Sequence, residues 1–358
     1  MNILKKKIHN LINENGPISL AKFMEISLGD EKYGYYRKKM PLGSGGDFVT
    51  SPDISQIFGE IIGIWILDIW IKLNKPKNFQ IVDLGGGRGT LLKDINRVLK
   101  GKVSNFIFLD INDELKKQQK KALKDASHFE KIEDIPNKTT IFIGNEFLDA
   151  LPVHQFIKKD KSWKEVCVSS DNNKLFFSHE DTELSKKLFK NDHRDIKEGS
   201  VIEINFKIRK IINYISNFIK KNSGAAIFFD YGYVDGNGDS FQGVKNNKFA
   251  NPLDDPGFID LTSHVNFKDI KLNAKENKID VYGPNTQGLF LENMGALQRL
   301  DILEKNANNH QKQELRNGLN RLMNDNEMGE LFKVIALAPK NFPSLEGFTC
   351  GTTTNIEY

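Results

Sequence analysis

The chain has 358 residues, of which 39% are hydrophobic and 27% charged, the make-up of a globular protein with a sizeable core. A formal charge of +4, with the basic residues spread along the chain, gives no footprint for nucleic acid. The two cysteines, Cys167 and Cys350, have no CxxC spacing, which argues against a disulfide framework and a zinc site and fits a reducing compartment.

Met1 to Asn15 is basic and amphipathic, with Lys5, Lys6 and Lys7 set between Ile3, Leu4, Ile8, Leu11 and Ile12. It reads as a first domain helix rather than an organellar targeting helix. It lacks arginine, contains Glu14, and runs directly into Gly16-Pro17-Ile18-Ser19, where Ser19 caps the next helix. Residues 17–75 read as helical segments around a glycine-rich loop, Gly43 to Asp47, with an apolar helix over about 55–73. The apolar stretch Ile61 to Ile71 already contains Asp68 and falls short of the roughly 20 residues a membrane span needs.

From Phe79 the chain alternates apolar strands (79–84, 105–110, 139–144) with amphipathic helices (89–100, 113–125), the rhythm of a parallel sheet covered on both faces. Residues 152–205 break it with more polar strand-like runs such as 163–168 and a charged connection over 186–197, and are read as an insertion. A helix over 206–221, a strand over 225–230 and a long glycine-rich loop over 231–258 follow. A strand at 279–282, a largely helical stretch over 286–325 and a strand over 331–338 complete the chain. The expected fold is α/β: a doubly wound, mostly parallel seven-stranded sheet with ligands at the carboxyl ends of its strands. Residues 1–75 form an N-terminal helical region and 76–358 the core, with insertions at 152–205 and 231–258.

The strand ending in Asp83 runs into Gly85-Gly86-Gly87-Arg88-Gly89, with glycines 85, 87 and 89 at alternate positions before a helix. Such a loop turns tightly and brings backbone close to a ligand. The dinucleotide fingerprint GxGxxG would need its third glycine at Thr90 or Leu92. The GxGxG spacing instead suits a nucleoside ligand without phosphate, S-adenosylmethionine, with Asp83 near its ammonium group. Asp110, which closes the next strand, is placed to accept the ribose hydroxyls, with Ile111 beside the adenine; dehydrogenases use the same acid, so this feature does not separate the two cofactors.

With these motifs in order, the chain resembles the MidA-like family of class I methyltransferases, which includes the mitochondrial complex I assembly-factor methyltransferase. The resemblance runs through Phe23-Met24-Glu25, Tyr33-Gly34-Tyr35-Tyr36, 46–60, the glycine loop and 145–153. It continues through Asp230-Tyr231-Gly232, 260–265, Gly283-Pro284 and 328–333. It implies a Rossmann-like core, S-adenosylmethionine as donor with S-adenosylhomocysteine as product, and arginine methylation of a protein client, a respiratory complex I subunit. It also implies that the segment holding Asp47, Thr50, Ser51, Asp53 and Gln56 is a lid over the donor, and that Asn145 belongs to the donor site. Two departures stand out. The family usually has Glu-Leu-Gly-Pro-Gly where this chain has Asp83-Leu84-Gly85-Gly86-Gly87, and Asn247 replaces a histidine, which puts a base there in doubt.

Methyl transfer from a sulfonium is an in-line displacement that needs positioning rather than a metal. Glu146 and Asp149, three residues apart, share a face if a helical turn begins there, and two acids can grip a guanidinium. His264 is the candidate proton acceptor, Tyr231 a lining residue of the acceptor pocket, and Ser51-Pro52-Asp53 a cap for the 55–73 helix. Rival readings are a dehydrogenase, an assembly chaperone that binds donor and client without essential catalysis, and a small-molecule or lipid methyltransferase. The site of action is a bacterial cytoplasm or, alternatively, the mitochondrial matrix, and a homodimer is compatible with all of this.

Overall fold

A computed structural model describes residues 2–37, 49–103, 105–172, 174–190, 192, 196–236 and 238–348. Its centre is a twisted sheet whose strands are, in chain order, β1 (Phe79–Leu84), β2 (Asn105–Leu109), β3 (Ser127–Phe129), β4 (Thr139–Asn145), β5 (Gly224–Tyr233), β6 (Asp280–Thr286) and β7 (Phe332–Ala338). Their spatial order is β6-β7-β5-β4-β1-β2-β3; β7 pairs antiparallel with β6 and β5, and the other pairs are parallel. A two-residue strand, Val265–Asn266, adds to the end of β5. The expected α/β, mostly parallel sheet of seven strands is therefore the one observed. β3 is the strand the sequence reading missed, because Ser127-His128-Phe129 offers no apolar run.

Strand residues alternate between two apolar cores, as a sheet covered on both faces requires. Phe79, Ile81, Ile141, Ile143, Ile227 and Phe229 face helices Gln56–Lys72 and Thr90–Leu99. Val82, Leu84, Phe142, Ala226 and Phe228 face helices Phe206–Asn222 and Phe267–Glu276. The first pair of helices packs closely because a Cβ on Gly59 would stand 2.7 Å from that of Asp94, and one on Gly63 2.9 Å from that of Val98. Among the described residues no helix is long and apolar enough to cross a membrane.

A third core joins segments far apart in sequence. Helices Ile3–Asn15 and Leu20–Gly29, the second capped by Ser19 as expected, pack with Val153, Val168, Leu253 and Leu261. Ile18 pairs with Val168 in an antiparallel sheet that holds His154–Lys159, Ser162–Asp171, Lys174–Glu180 and Val201–Ile204. The supposed connection over 186–197 begins inside a helix, Glu183–Leu188. Nor is 231–258 one long loop. Gln242–Lys245 and Lys248–Ala250 form a hairpin that extends to Asp260–Thr262, turning at Asn246 and Asn247, both at positive φ (54° and 58°). Two central residues at positive φ are what a tight hairpin turn demands, and asparagine tolerates them.

Candidate active site

The carboxyl ends of β1, β2, β4 and β5 open into a cavity of about 530 Å³. The cavity is lined by Asp83, Gly85 and Gly87 with Asp110 and Ile111, by Asn145, Glu146, Asp149 and Tyr231, and by Gln242, Asp260 and Thr262 from the hairpin sheet. The wall is acidic: Asp53, Asp83, Asp110, Glu146, Asp149 and Asp260 outweigh Arg88 and Lys207. A cationic ligand suits it.

The glycine loop is held by its backbone. Gly85, Gly87 and Gly89 all have positive φ (69°, 51° and 85°), the region L side chains avoid, and the Gly85 amide donates to the Leu109 carbonyl at 2.9 Å. Gly86, outside the alternate set, is the most confined: a Cβ there would lie 2.4 Å from Phe108 Cδ1 and 2.9 Å from Asp83 Oδ2. Gln119, which sequence reading passed over, clamps the loop. Its Nε2 donates to the Gly87 carbonyl and to Asp110 Oδ2, each at 2.8 Å. The other oxygen of Asp110 accepts the Asn112 amide at 2.8 Å. Only its burial marks Gln119, since the rest of helix Asp113–Ala122 is strongly polar.

Asp83 is 2% exposed, and its Oδ2 has no hydrogen-bond partner. Burial and the nearby Asp110 push its pKa well up. Asn145 Oδ1, at the end of β4, is likewise buried and unpartnered. Two unpaired acceptors on the cavity wall fit a ligand that brings donors, such as an α-ammonium group.

No helical turn begins at Glu146. Its φ is 50°, its amide bonds the Phe229 carbonyl at 2.9 Å, and residues 146–150 form bends and turns. The two acids meet the cavity because the loop is pinned elsewhere. Asp230 Oδ2 accepts the amides of Phe147, Leu148 and Asp149, and the cap residue Asn205 donates to the Leu151 carbonyl at 2.8 Å. Glu146 Oε1 accepts from the Ser51 amide (2.9 Å), the Ser51 hydroxyl (3.2 Å) and Asn145 Nδ2 (3.0 Å). Asp149 Oδ2 accepts the Tyr231 hydroxyl at 2.7 Å, while its Oδ1 is unpartnered. Burial, stronger than these hydrogen bonds, raises Glu146 to about 7 and Asp149 to about 6.

Other sequence candidates fall in mixed places. Thr50 lines the cavity and Ser51 holds Glu146, but Gln56 is exposed at the start of its helix and off the wall. Ser51–Ile54 is a separate helical turn, and the following helix is capped by Ser55 rather than Ser51. Asp53 accepts the Thr90 hydroxyl at 2.8 Å. Asp47 lies outside the described residues, as does Cys350. His264 is off the wall; its ring meets Tyr231 edge-on at 5.4 Å, and burial lowers its pKa.

The family of S-adenosyl-L-methionine-dependent methyltransferases matches residues 61–285. The chain belongs to that family. It is 33% identical over 367 residues to the Danio rerio protein arginine methyltransferase NDUFAF7, mitochondrial, covering 93% of this chain and 86% of that one. The Homo sapiens protein of the same name is 33% identical over 363 residues, covering 92% and 81%. In fold, it superposes with a TM-score of 0.85 on a Burkholderia thailandensis protein bound to S-adenosyl-homocysteine, at 24% identity over 97% of this chain and 95% of that chain. The enzyme is a methyltransferase with a Rossmann-like core, and its cofactor is S-adenosylmethionine. The GxGxG spacing of the glycine loop had favoured this cofactor over a dinucleotide.

Proposed function

We propose that the enzyme methylates an arginine of a protein client, and that the client is a respiratory complex I subunit met during assembly. The observation that carries the first part is the pair Glu146 and Asp149 on the wall of the donor cavity, one residue and four residues past Asn145. The NDUFAF7 relatives, named as protein arginine methyltransferases, support it. The complex I client rests on the family resemblance, and the mitochondrial relatives favour the matrix over a bacterial cytoplasm as the place of action.

Bound along the glycine loop, the cofactor supplies a methyl group on a sulfonium. In our reading Asp83 and Asn145 take its ammonium group, Asp110 its ribose hydroxyls and Ile111 its adenine. Gly85, Gly87 and Gly89 let the backbone approach, and residues 1–75, through Thr50 and Ser51, act as a lid on the 76–358 core. Glu146 and Asp149 turn the guanidinium so that one nitrogen faces the methyl carbon, which is where holding reactants in near-attack geometry lowers the barrier. The methylated nitrogen then sheds a proton. In this reading Glu146, raised to about 7, takes it, while His264 is off the cavity wall and meets Tyr231 edge-on.

Incubating the full chain with radiolabelled S-adenosylmethionine and purified complex I subunits tests the reading, with intact mass spectrometry locating the label. Label on a subunit arginine supports it. Label in small molecules or lipid extract moves the enzyme to the small-molecule class, and normal complex I assembly with a Glu146→Gln enzyme that has lost methylation moves it to the chaperone class.

A further inference from the structure

The small sheet built on the hairpin has two faces, and its register sorts them. Cross-strand partners in an antiparallel ladder set their side chains on the same side, and neighbours along a strand alternate. Gly243 stands opposite both Leu261 and Ala250, which pack in the third core, and a Cβ on Gly243 would lie 2.8 Å from Ile259 Cγ2 of that core. That face is buried. The opposite face carries the pairs Gln242–Thr262 and Val244–Asp260, and all four residues line the cavity. Val244 has a second partner across the hairpin, Phe249. Phe249 therefore continues the cavity wall outward by one strand, and there it is 83% exposed, the most of any large hydrophobic side chain among the described residues.

A lone apolar side chain in water is common and carries no message by itself. Phe249 differs by its place. Its strand, Lys248–Ala250, is the outermost of the three, so its outer edge has no partner strand among the described residues. An extended chain laid along such an edge pairs through its backbone and sets alternate side chains on the two faces, one of them here the face of Phe249 and the cavity wall. A small acceptor enters the acidic cavity whole and leaves Phe249 in water. A protein acceptor brings flanking chain that stays outside the cavity, and an aromatic ring on the continued wall is an anchor for it. We propose that Phe249 docks the protein client, packing against an apolar side chain in an extended segment beside the acceptor arginine, with the backbone of that segment on the open edge of Lys248–Ala250. This rests on the protein-client reading given above.

The test measures transfer of radiolabelled methyl from S-adenosylmethionine to purified complex I subunits by the full chain and its variants. Phe249→Ser is expected to raise KM for the labelled subunit about tenfold with kcat little changed, the mark of lost binding rather than lost chemistry. Its melting temperature and S-adenosylhomocysteine affinity should not move, since the side chain stands in water and away from the donor residues. Phe249→Tyr keeps the ring and should stay within about twofold of the unaltered KM. Phe176→Ser, at a phenylalanine 44% exposed and off the cavity wall, is the control and should change nothing. An unmoved KM in Phe249→Ser overturns the proposal, as does an equal loss in Phe176→Ser, or a fall in kcat at constant KM. In each of those cases the unaltered protein still labels a subunit, so the protein-client reading stands. If the unaltered protein labels no subunit, that reading fails first and takes this inference with it.

Discussion

Asp230 Oδ2 stands 2.8 Å from the Leu148 amide and also receives the amides of Phe147 and Asp149, at 3.2 and 3.3 Å. Its other oxygen takes the Tyr231 amide at 3.0 Å, so one side chain on β5 staples the loop that leaves β4. Burial and the charge of Asp149 raise the pKa of Asp230, while the amides pull it down. Asn in its place offers one acceptor and sets an N–H₂ among amides. Asp230→Asn should therefore lose about 1–3 kcal/mol in urea unfolding. It should also lower kcat with little change in donor affinity, because Asp83 and Asp110 sit on other strands. An unfolding midpoint equal to that of the unaltered protein would remove the staple from the account.

Gly86 stands where the family usually carries proline, and here the space beside it is filled by Phe108, which is fully buried and stacks on His128 at 5.4 Å. Forcing an extra group into a packed site costs about 1–3 kcal/mol. Gly86→Ala is thus expected to destabilise the protein and to weaken S-adenosylmethionine binding. Phe108→Leu in the same chain should recover most of the loss by opening that space. Thermal melts of the two single variants and the double variant give the coupling directly, and simple additivity would mean that Phe108 is not what excludes a side chain at 86.

Gln119 joins the two halves of the donor site, and the chain supplies no second clamp between Gly87 and Asp110 among the described hydrogen bonds. Replacing it by leucine removes both bonds and leaves Asp110 buried with one fewer donor. A net loss of about 1.5 kcal/mol or more for the bond to the Asp110 carboxylate, and about 1 kcal/mol for the neutral bond to the Gly87 carbonyl, puts donor affinity down by roughly tenfold or more. Isothermal titration with S-adenosylmethionine checks this; affinity within error of the unaltered protein would show that Asp110 holds its place without help.

The donor end of the site was legible because its requirements are local. An apolar strand, an acid and glycines at 85, 87 and 89 must be contiguous for the backbone to turn as it does, and Asp110 must end the next strand. The sheet was legible for the same reason, except where Ser127-His128-Phe129 pairs through backbone alone. The acceptor end was not. Glu146 and Asp149 are presented by a left-handed residue and by a carboxylate 81 to 83 residues away, not by a helical turn, and no local pattern encodes that. Ile18 finds Val168, and Tyr36 finds Asp260 across 224 residues, through packing that only the folded chain reveals. The hairpin at Asn246-Asn247 was missed for want of a glycine in its turn.

Proton affinity gives the acceptor pair its own signature. Burial raises Glu146 to about 7 and Asp149 to about 6, against roughly 4 for carboxylates in an unfolded chain. The folded state therefore holds these protons more tightly than the unfolded one. The resulting stabilisation is fully present below about pH 4 and is lost as pH rises through 6 and 7. Glutamine mimics the protonated acid at every pH. Glu146→Gln should accordingly match the unaltered protein near pH 4 and melt at the higher temperature of the two by about pH 8, in the absence of ligand. Cation binding runs the other way, since the ionised acids grip a guanidinium; kcat/KM of the unaltered enzyme should climb through the same window, and the variant should fall at least about a hundredfold below it at pH 8. Parallel melting curves for the two proteins from pH 5 to 8 would show that Glu146 is ionised throughout, and that the proton on the methylated nitrogen leaves by another group.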